Sequence, residues 1–271
     1  MSQYLRVKLL KPINQLAARL MPGPMYVYLA RLFIPLLDSN RRSSGVKVSR
    51  HGRLYLARGL GFQYYFFSPF NVGRYLYKED YIAKKMLEKY SQSGVRVNKG
   101  DVVVDVGANV GEYSLAVSGI ASKIIALEPD ANHHKCLVLN AKGKTNIVCE
   151  DLALGDADGK KELFVASMNN DSSFIEPEYW RYKIEIKTVT LKTLMQRHNL
   201  SHIDFLKVEA EGYEPEILEA SLPVLGFVRK VAVDGGPERS GKYTKDRCAS
   251  ILENAGFHVA MSGDIVFAKR S

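Results

Sequence analysis

The residues of this chain that could do chemistry begin with a short run, Asp101-Val-Val-Val-Asp105-Val-Gly107-Ala108-Asn109-Val-Gly111, in which an apolar β-branched stretch gives way to an acid and two glycines. Glycine is needed in such a loop where a side chain would block a ligand or where the backbone must take a positive φ. A dinucleotide loop reads G-x-G-x-x-G and sets a pyrophosphate on a helix N-terminus. Here the glycines stand four apart and Asp105 precedes the first by two. That carboxylate would repel a diphosphate, whereas the sulfonium and ammonium groups of S-adenosylmethionine would be attracted to it. Glu128 follows Asp105 by 23 residues, at the end of a second apolar run from Lys123 to Leu127, well placed to accept both hydroxyls of a ribose. A third run, Asn146 to Cys149, ends in Glu150-Asp151-Leu152, where a carboxylate could accept from an adenine amino group. The candidate cofactor-binding residues are therefore Asp105, Gly107, Ala108, Asn109 and Gly111, with Glu128 and Pro129 after the second run and Asp151 and Leu152 after the third.

Farther along stands Lys207-Val-Glu209-Ala-Glu211-Gly212. Methyl transfer from a sulfonium is an in-line displacement whose leaving group is already activated, so holding the acceptor behind the methyl supplies much of the rate. A base need only remove a hydroxyl proton. Strand alternation puts Lys207, Glu209 and Glu211 on one side, and these are the candidate catalytic residues. Glu209 or Glu211 would take the proton, and Lys207 would orient the acceptor or stabilise developing negative charge. The bland alternative is a structural ion pair. Glu214 and Glu216 read as favouring the N-terminus of a helix opened near Pro215. Should neither Glu209 nor Glu211 act, Asp234, Glu238 and the loop from Asn169 to Ser173 come next. His133 and Cys136 are one helical turn apart, but no second pair completes four ligands, so no metal centre is read.

The elements that must position these groups follow from periodicity. The run that opens at Asp101 is expected as a buried strand that passes through the glycine turn into a helix through Ser114 to Val117. Lys123 to Leu127, Asn146 to Cys149, Ile203 to Val208 and Val228 to Val233 are also expected as buried strands, with further helices at Glu214 to Ser221 and Lys245 to Asn254. This alternation signals parallel β-α-β units. Phe257 to Met261 and Ile265 to Ala268 flank Ser262-Gly263-Asp264, a connection fit for an antiparallel hairpin. Lys160 to Ala166 and Tyr182 to Val189 alternate as an inserted strand pair carrying the loop Met168 to Trp180, and Glu79 to Tyr90 reads as an amphipathic helix.

The motifs VVVDVGANVGEYS, ALEPDANHHKCLVLNAK, EDLALGD, DSSF and LKVEAEGYEPEIL, in that order, resemble the FkbM-type methyltransferases, a class I S-adenosylmethionine-dependent family. The likeness runs from Glu79 to Glu219, and Asp234-Gly-Gly-Pro-Glu238 stands where many members carry an acid followed by a histidine. The resemblance implies a Rossmann-like, seven-stranded doubly wound α/β sheet with an antiparallel terminal hairpin. It also implies methyl transfer to a hydroxyl, often on a sugar, glycolipid or lipid-linked glycan precursor. The competing functions are an RNA or other nucleic-acid methyltransferase and a non-catalytic S-adenosylmethionine-binding module. The N/D-P-P-Y/F type of signature for methylating base amino groups is absent from the sequence, and the intact Lys207-Glu209-Glu211 cluster counts against a dead module.

Composition narrows the rest. With 46% hydrophobic and 25% charged residues in 271, the chain is neither disordered nor fibrous and has room for one α/β core with an appendage. Three cysteines without paired or metal spacing fit a reducing compartment. The net charge of +9 is an N-terminal property: residues 1 to 100 hold 18 Lys+Arg against 4 Asp+Glu, and the remainder 20 against 25. Such asymmetry marks a surface that meets an anionic partner. Met25 to Leu37 is too short to span a bilayer and lacks a cleavage site. With Arg6, Lys8, Lys11, Arg19 and Arg31 along the apolar runs, it reads either as a helix in an anionic membrane interface or as a helix packed on the core. The aromatic stretch from His51 to Tyr77 reads as short strands and turns around core rings. The expected organisation is a basic appendage over residues 1–70 and a methyltransferase domain over 71–271, in a cytoplasmic protein whose N-terminus meets the inner membrane surface.

Overall fold

The computed structural model describes residues 22–37, 45–59, 61–77, 81–166, 172–176, 180–239 and 241–270, with side chains omitted at 33–37 and 181. Arg6, Lys8, Lys11 and Arg19 of the basic N-terminus, and most of the loop from Asn169 to Ser173, lie outside the described residues. The chain divides into two compact units between Tyr81 and Ile82.

The first unit holds helix α1 (Gly23–Leu37) and an antiparallel sheet of β1 (Lys47–His51), β2 (Leu54–Gly59) and β3 (Phe62–Phe66), followed by a 3-10 turn at Pro69–Tyr75. Its aromatics form the interior. Phe66 stacks on Tyr55 at 5.5 Å and on Tyr75 at 4.7 Å, and Tyr26 meets Phe70 edge-on at 5.1 Å. Rings buried against one another in this way are packing elements, not a platform for bases.

The second unit opens with the end of α2 (Tyr81–Tyr90) and is built on seven strands. These are β4 (Val102–Val106), β5 (Lys123–Leu127), β6 (Ile147–Glu150), β10 (Ile203–Val208), β11 (Val228–Asp234), β12 (His258–Ser262) and β13 (Ile265–Lys269). Their order across the sheet is β12-β13-β11-β10-β4-β5-β6, so among core strands the third, second, first, fourth, fifth, seventh and sixth lie side by side. All neighbours are parallel except β13, which runs antiparallel to both β11 and β12. The expected terminal hairpin is thus present. A separate three-stranded sheet, ordered β7-β9-β8, comprises β7 (Ala153–Leu154), β8 (Gly159–Ala166) and β9 (Trp180–Val189).

Connections are made by α3 (Glu112–Val117), α4 (Ala131–Asn140), α5 (Leu191–Arg197), α6 (Glu214–Ser221) and α7 (Lys245–Asn254). Local chemistry starts several of them. The Asp130 carboxylate accepts from the backbone N–H groups of Asn132 and His133 to cap α4, and Thr190 Oγ1 accepts from Thr193 N to cap α5. Period two then sorts the strand residues. Val104, Val106, Leu206, Val208, Val231 and Val233 share one core with Leu191, Leu194, Ile217, Leu218 and Leu252 of α5, α6 and α7. Val103, Phe205, Ala232 and Phe267 face the other side, under Tyr90 and Tyr113. Asp105 and Lys207 belong by alternation to this second face.

Candidate active site

The order of strands reverses between β4 and β10, and in open parallel sheets the crevice outside the carboxyl ends at such a point is where ligands bind. Register pairs Lys207 directly with Asp105 across β10 and β4, and with the small Ala232 across β10 and β11. Lys207 is 2% exposed. Its ammonium donates to the carbonyls of Val106 (3.1 Å) and Gly107 (2.9 Å) and lies 3.0 Å from Asp105 Oδ1 and 3.2 Å from Glu209 Oε2. Burial alone would lower its pKa, but Asp105 and Glu209 outweigh that and hold it well above the ordinary lysine value. Asp105 in turn accepts from Ser114 Oγ at 2.7 Å through its other oxygen.

This geometry corrects the reading of Asp105. It is no open anion waiting for a sulfonium, because its charge is neutralised within the fold by Lys207. Gly107 is likewise explained by protein rather than by ligand. It takes φ +70°, and a Cβ there would stand 2.0 Å from the Glu209 carbonyl oxygen, so only glycine lets the ends of β4 and β10 approach. Gly111, at φ +92°, would drive a Cβ to 2.7 Å from Leu137 of α4. Asn109 between them is also left-handed, at φ +51°.

Two side chains that the sequence reading missed complete the cluster. Lys89 and Tyr90, the last residues of α2, reach the end of β10. Tyr90 donates its hydroxyl to Glu209 Oε2 at 2.7 Å, and Lys89 bridges Glu209 Oε1 (2.8 Å) and Asp234 Oδ2 (2.7 Å). Burial pushes the Glu209 carboxyl up, but Lys207 and Lys89 pull it well below the usual carboxylate range. Asp234 is raised by burial and by Glu209, despite Lys89. Glu211 does not continue the strand: it sits in a left-handed turn at φ +48°, and its carbonyl accepts from Ser173 Oγ at 2.6 Å. The DSSF motif thus ties the inserted sheet to this turn, with Ser173 also bridging backbone to backbone with Phe164. Glu214 is structural, accepting from the N–H groups of Ala210 and Gly212 and from Thr244 Oγ1. Glu216 pairs with Arg239.

On the nucleoside side, Glu128 is buried and each of its oxygens accepts one backbone N–H, from Asn109 (2.8 Å) and Asp130 (2.9 Å), while burial raises its pKa. Pro129 follows it half-buried and Ala108 is buried. Leu152 lies in the core, which leaves its backbone alone for a ligand, whereas Asp151 is exposed with only a 3.8 Å contact to Lys187. Glu150 is held by Arg197 at 3.3 Å and lies 2.8 Å from His198 Nε2. Asn109 Oδ1 is buried and receives no hydrogen bond among the described residues. That oxygen, the Asp151 carboxylate and the unused lone pairs of Glu128 are acceptors, and a nucleoside carries the hydroxyl and amino donors they lack. The residues fit S-adenosylmethionine. The cysteines take no part, since burial pushes the thiols of Cys136, Cys149 and Cys248 up to about 12, 11 and 12.

The family model of the methyltransferase FkbM domain matches residues 105–259, which contain every strand end just described except α2's contribution. The chain belongs to the FkbM methyltransferase family. It is a class I, S-adenosylmethionine-dependent methyltransferase by family and strand order, and S-adenosylmethionine is its cofactor. Solved structures to which the chain is similar include precorrin-6y C5,15-methyltransferase from Geobacter metallireducens, at 15% identity and TM-score 0.41, covering 71% of this chain and 88% of that one. Fibrillarin of Aeropyrum pernix with natively bound S-adenosyl-L-methionine matches at 13% identity and TM-score 0.41, covering 83% and 98%. Magnesium protoporphyrin IX methyltransferase of Synechocystis with bound cofactor matches at 10% and 0.41, covering 71% and 77%. No curated protein matches the chain.

Proposed function

We propose that this FkbM-family enzyme transfers a methyl group from S-adenosylmethionine to a hydroxyl of a sugar, glycolipid or lipid-linked glycan precursor. The observation that carries the reading is the set of acids at and past the carboxyl ends of β10 and β11, where Glu209 and Asp234 share Lys89, Glu238 feels the charge of both, and the Glu209 carbonyl abuts Gly107. Hydroxyls donate to carboxylates, and a hydroxyl acceptor must lose a proton that such groups can accept. When bound, the cofactor supplies an activated methyl on its sulfonium. Glu128 would hold the ribose hydroxyls, Asp151 and the Leu152 backbone would take the adenine, and Asn109 would offer its side-chain amide oxygen. Lys207 acts as a positioning residue, since its donors are already used on the ends of β4 and on Asp105 and Glu209. Glu209, ionised and one-third exposed, orients the acceptor hydroxyl, with Glu211 following in the left-handed turn beyond it.

Titration calorimetry with S-adenosylhomocysteine tests the cofactor half. Glu128→Ala should weaken binding by about 1.5 to 3 kcal/mol, the scale of hydrogen bonds to a charged group, and unchanged affinity would move the ribose partner elsewhere. Transfer of labelled methyl to fractionated glycans tests the acceptor half. Label recovered only in RNA or protein would overturn the hydroxyl-glycan reading.

We propose further that α1 meets an anionic membrane surface. Met25, Tyr28 and Leu32, at three- and four-residue steps, are 45%, 62% and 49% exposed, an apolar face beside Arg31 in the basic part of the chain. No helix among the described residues is long and apolar enough to cross a membrane. Full-length protein should co-sediment with vesicles containing phosphatidylglycerol at low salt and release as salt rises, and Leu32→Asp should reduce binding. Equal binding to neutral vesicles, or none to either, would sink the idea.

A further inference from the structure

We infer that Glu238 is the catalytic residue that takes the acceptor's proton, in place of the better-placed-looking Glu209. The inference rests on the hydroxyl-acceptor reading above and adds to it the identity of the base. Glu238 follows β11 by four residues, on a loop whose root is pinned by Gly235 N donating to Asp264 O (2.9 Å) and by Thr244 and Lys245 N donating to Gly235 O. Its side chain is placed by two glycines. A Cβ on Gly236 would stand 2.2 Å from Glu238 Oε1, and one on Gly212, beyond the end of β10, would come within 3.3 Å of Glu238 Cβ. The carboxyl therefore lies folded over Gly236 at the joint rim of β10 and β11, held there by shape.

What distinguishes Glu238 among the acids of this rim is that, among the described residues, no cation and no side-chain donor holds it; its own backbone N–H is its one donor. Asp105 has Ser114 and Lys207; Glu209 has Tyr90, Lys89 and Lys207; Asp234 has Lys89; Glu214 has two backbone N–H groups and Thr244. Glu238 Oε2 is buried and receives no hydrogen bond among the described residues. Two cations near it in sequence, Arg239 and Lys245, are turned to other work. Arg239 donates to Gly212 O and pairs with Glu216, and Lys245 donates to Gly263 O and approaches Asp264. Burial raises its carboxyl to about 7 against the pull of its own backbone N–H, and the charges that act on it, Glu214, Asp234 and Glu209, are all acidic and push the same way as burial. A buried acceptor oxygen without a donor costs free energy unless something supplies one. A substrate hydroxyl does so.

Glu209 is the poorer base because three donors hold its charge. In the step itself the acceptor's O–H proton passes to the Glu238 carboxylate and its electron pair stays on oxygen. That oxygen bonds the methyl carbon while the carbon–sulfur pair leaves on sulfur. The products are a methyl ether, a neutral thioether and a protonated Glu238, which returns its proton to solvent.

The experiment uses the full chain, tritiated S-adenosylmethionine and a panel of methyl hexosides as probe acceptors. Glu238→Gln should lower turnover by about 10²-fold or more while S-adenosylhomocysteine affinity stays within twofold. The acid limb of the wild-type rate profile, falling near neutrality, should be absent from the residual activity. Added formate should partly restore Glu238→Ala. Turnover within threefold of wild type, an unchanged acid limb, or lost cofactor affinity would each overturn the assignment while leaving the hydroxyl reading intact. Wild-type label appearing on carboxyl or amine groups, and none on hydroxyls, would overturn the hydroxyl reading and this base with it. If no hexoside is methylated, carboxyl difference infrared titration decides. A carboxyl titrating near neutrality in wild type and in Glu209→Gln, but absent from Glu238→Gln, upholds the assignment, and its absence from wild type ends it.

Discussion

The carboxyl ends of two adjacent strands, β10 and β11, treat their acids in opposite ways. At the end of β10 the charges of Lys207, Asp105, Glu209, Lys89 and Asp234 form one connected network whose contacts run from 2.7 to 3.2 Å. Past the end of β11, Glu238 sits among acids with an oxygen that receives no donor. Both arrangements put a carboxylate at the same rim, so residue type alone does not assign a role. Pairing does: a carboxylate stabilised as an anion holds the architecture and orients, whereas one destabilised as an anion is ready to take a proton.

The sharpest way to break this contrast is to remove the centre of the paired network. Lys207→Met keeps the aliphatic length and leaves Asp105 and Glu209 facing each other without the ammonium. Loss of one partner from a buried pair costs about 3 to 5 kcal/mol. Chemical denaturation should show that loss of stability with the denaturant slope unchanged, because the surface exposed on unfolding is the same. A loss below about 1 kcal/mol would mean that water reaches this cluster and that the strand ends do not depend on it.

A smaller effect sharpens the same point. Tyr90→Phe removes one donor to an ionised carboxylate that is one-third exposed, so about 1.5 kcal/mol is expected, the low end for hydrogen bonds to charged groups. Because the folded Glu209 carboxyl is held well below its ordinary range, its contribution is full above the unfolded value of about 4.3 and disappears only as pH falls through the folded one. The Tyr90→Phe deficit should therefore be nearly the same at about pH 5 as at about pH 7. A deficit that fades by about pH 5 would place Glu209 among ordinary carboxylates and dissolve the distinction from Glu238.

The framework was written locally, and the site only partly so. Lys123–Leu127, Ile203–Val208, Glu214–Ser221 and Lys245–Asn254 form where their period and flanking residues put them, since fully buried parallel strands and short crossover helices carry dense apolar signals. β1 went unread because Lys47-Val-Ser-Arg-His51 buries only Val48, and a strand with one inward residue has no pattern to show. β7 is two residues long, too short to show a period, and α5 begins only two residues after β9 ends and runs for just seven residues. In the site, Lys207 and Glu209 were found from strand alternation, but their tasks were set by residues about a hundred positions away. Asp105 pairs with Lys207 through register, and Lys89 and Tyr90 arrive from 120 and 119 residues upstream. No spacing within a motif encodes such contacts. Gly107 was legible as a necessary glycine, although the atom that requires it, the Glu209 carbonyl, belongs to another strand.

The smallest expected effect runs opposite in sign and tests the unpaired end. The folded Glu238 carboxyl lies at about 7, against an unfolded value of about 4.3, so its neutral form is the one the fold favours. Whatever stability it contributes is fully present below about 4.3 and is lost as pH rises through about 7. Glu238→Gln should therefore leave stability unchanged at about pH 4 and raise it above neutrality. After discounting for the solvent that reaches this half-buried group, the gain is on the order of 1 kcal/mol. A stabilised variant with lowered turnover is the expected signature of a functional acid kept at a cost to the fold. Denaturation midpoints of both proteins across this range decide it. A variant less stable than wild type above neutrality would mean that a cation or side-chain donor holds the Glu238 carboxylate after all, and the two strand ends would then differ in geometry but not in kind.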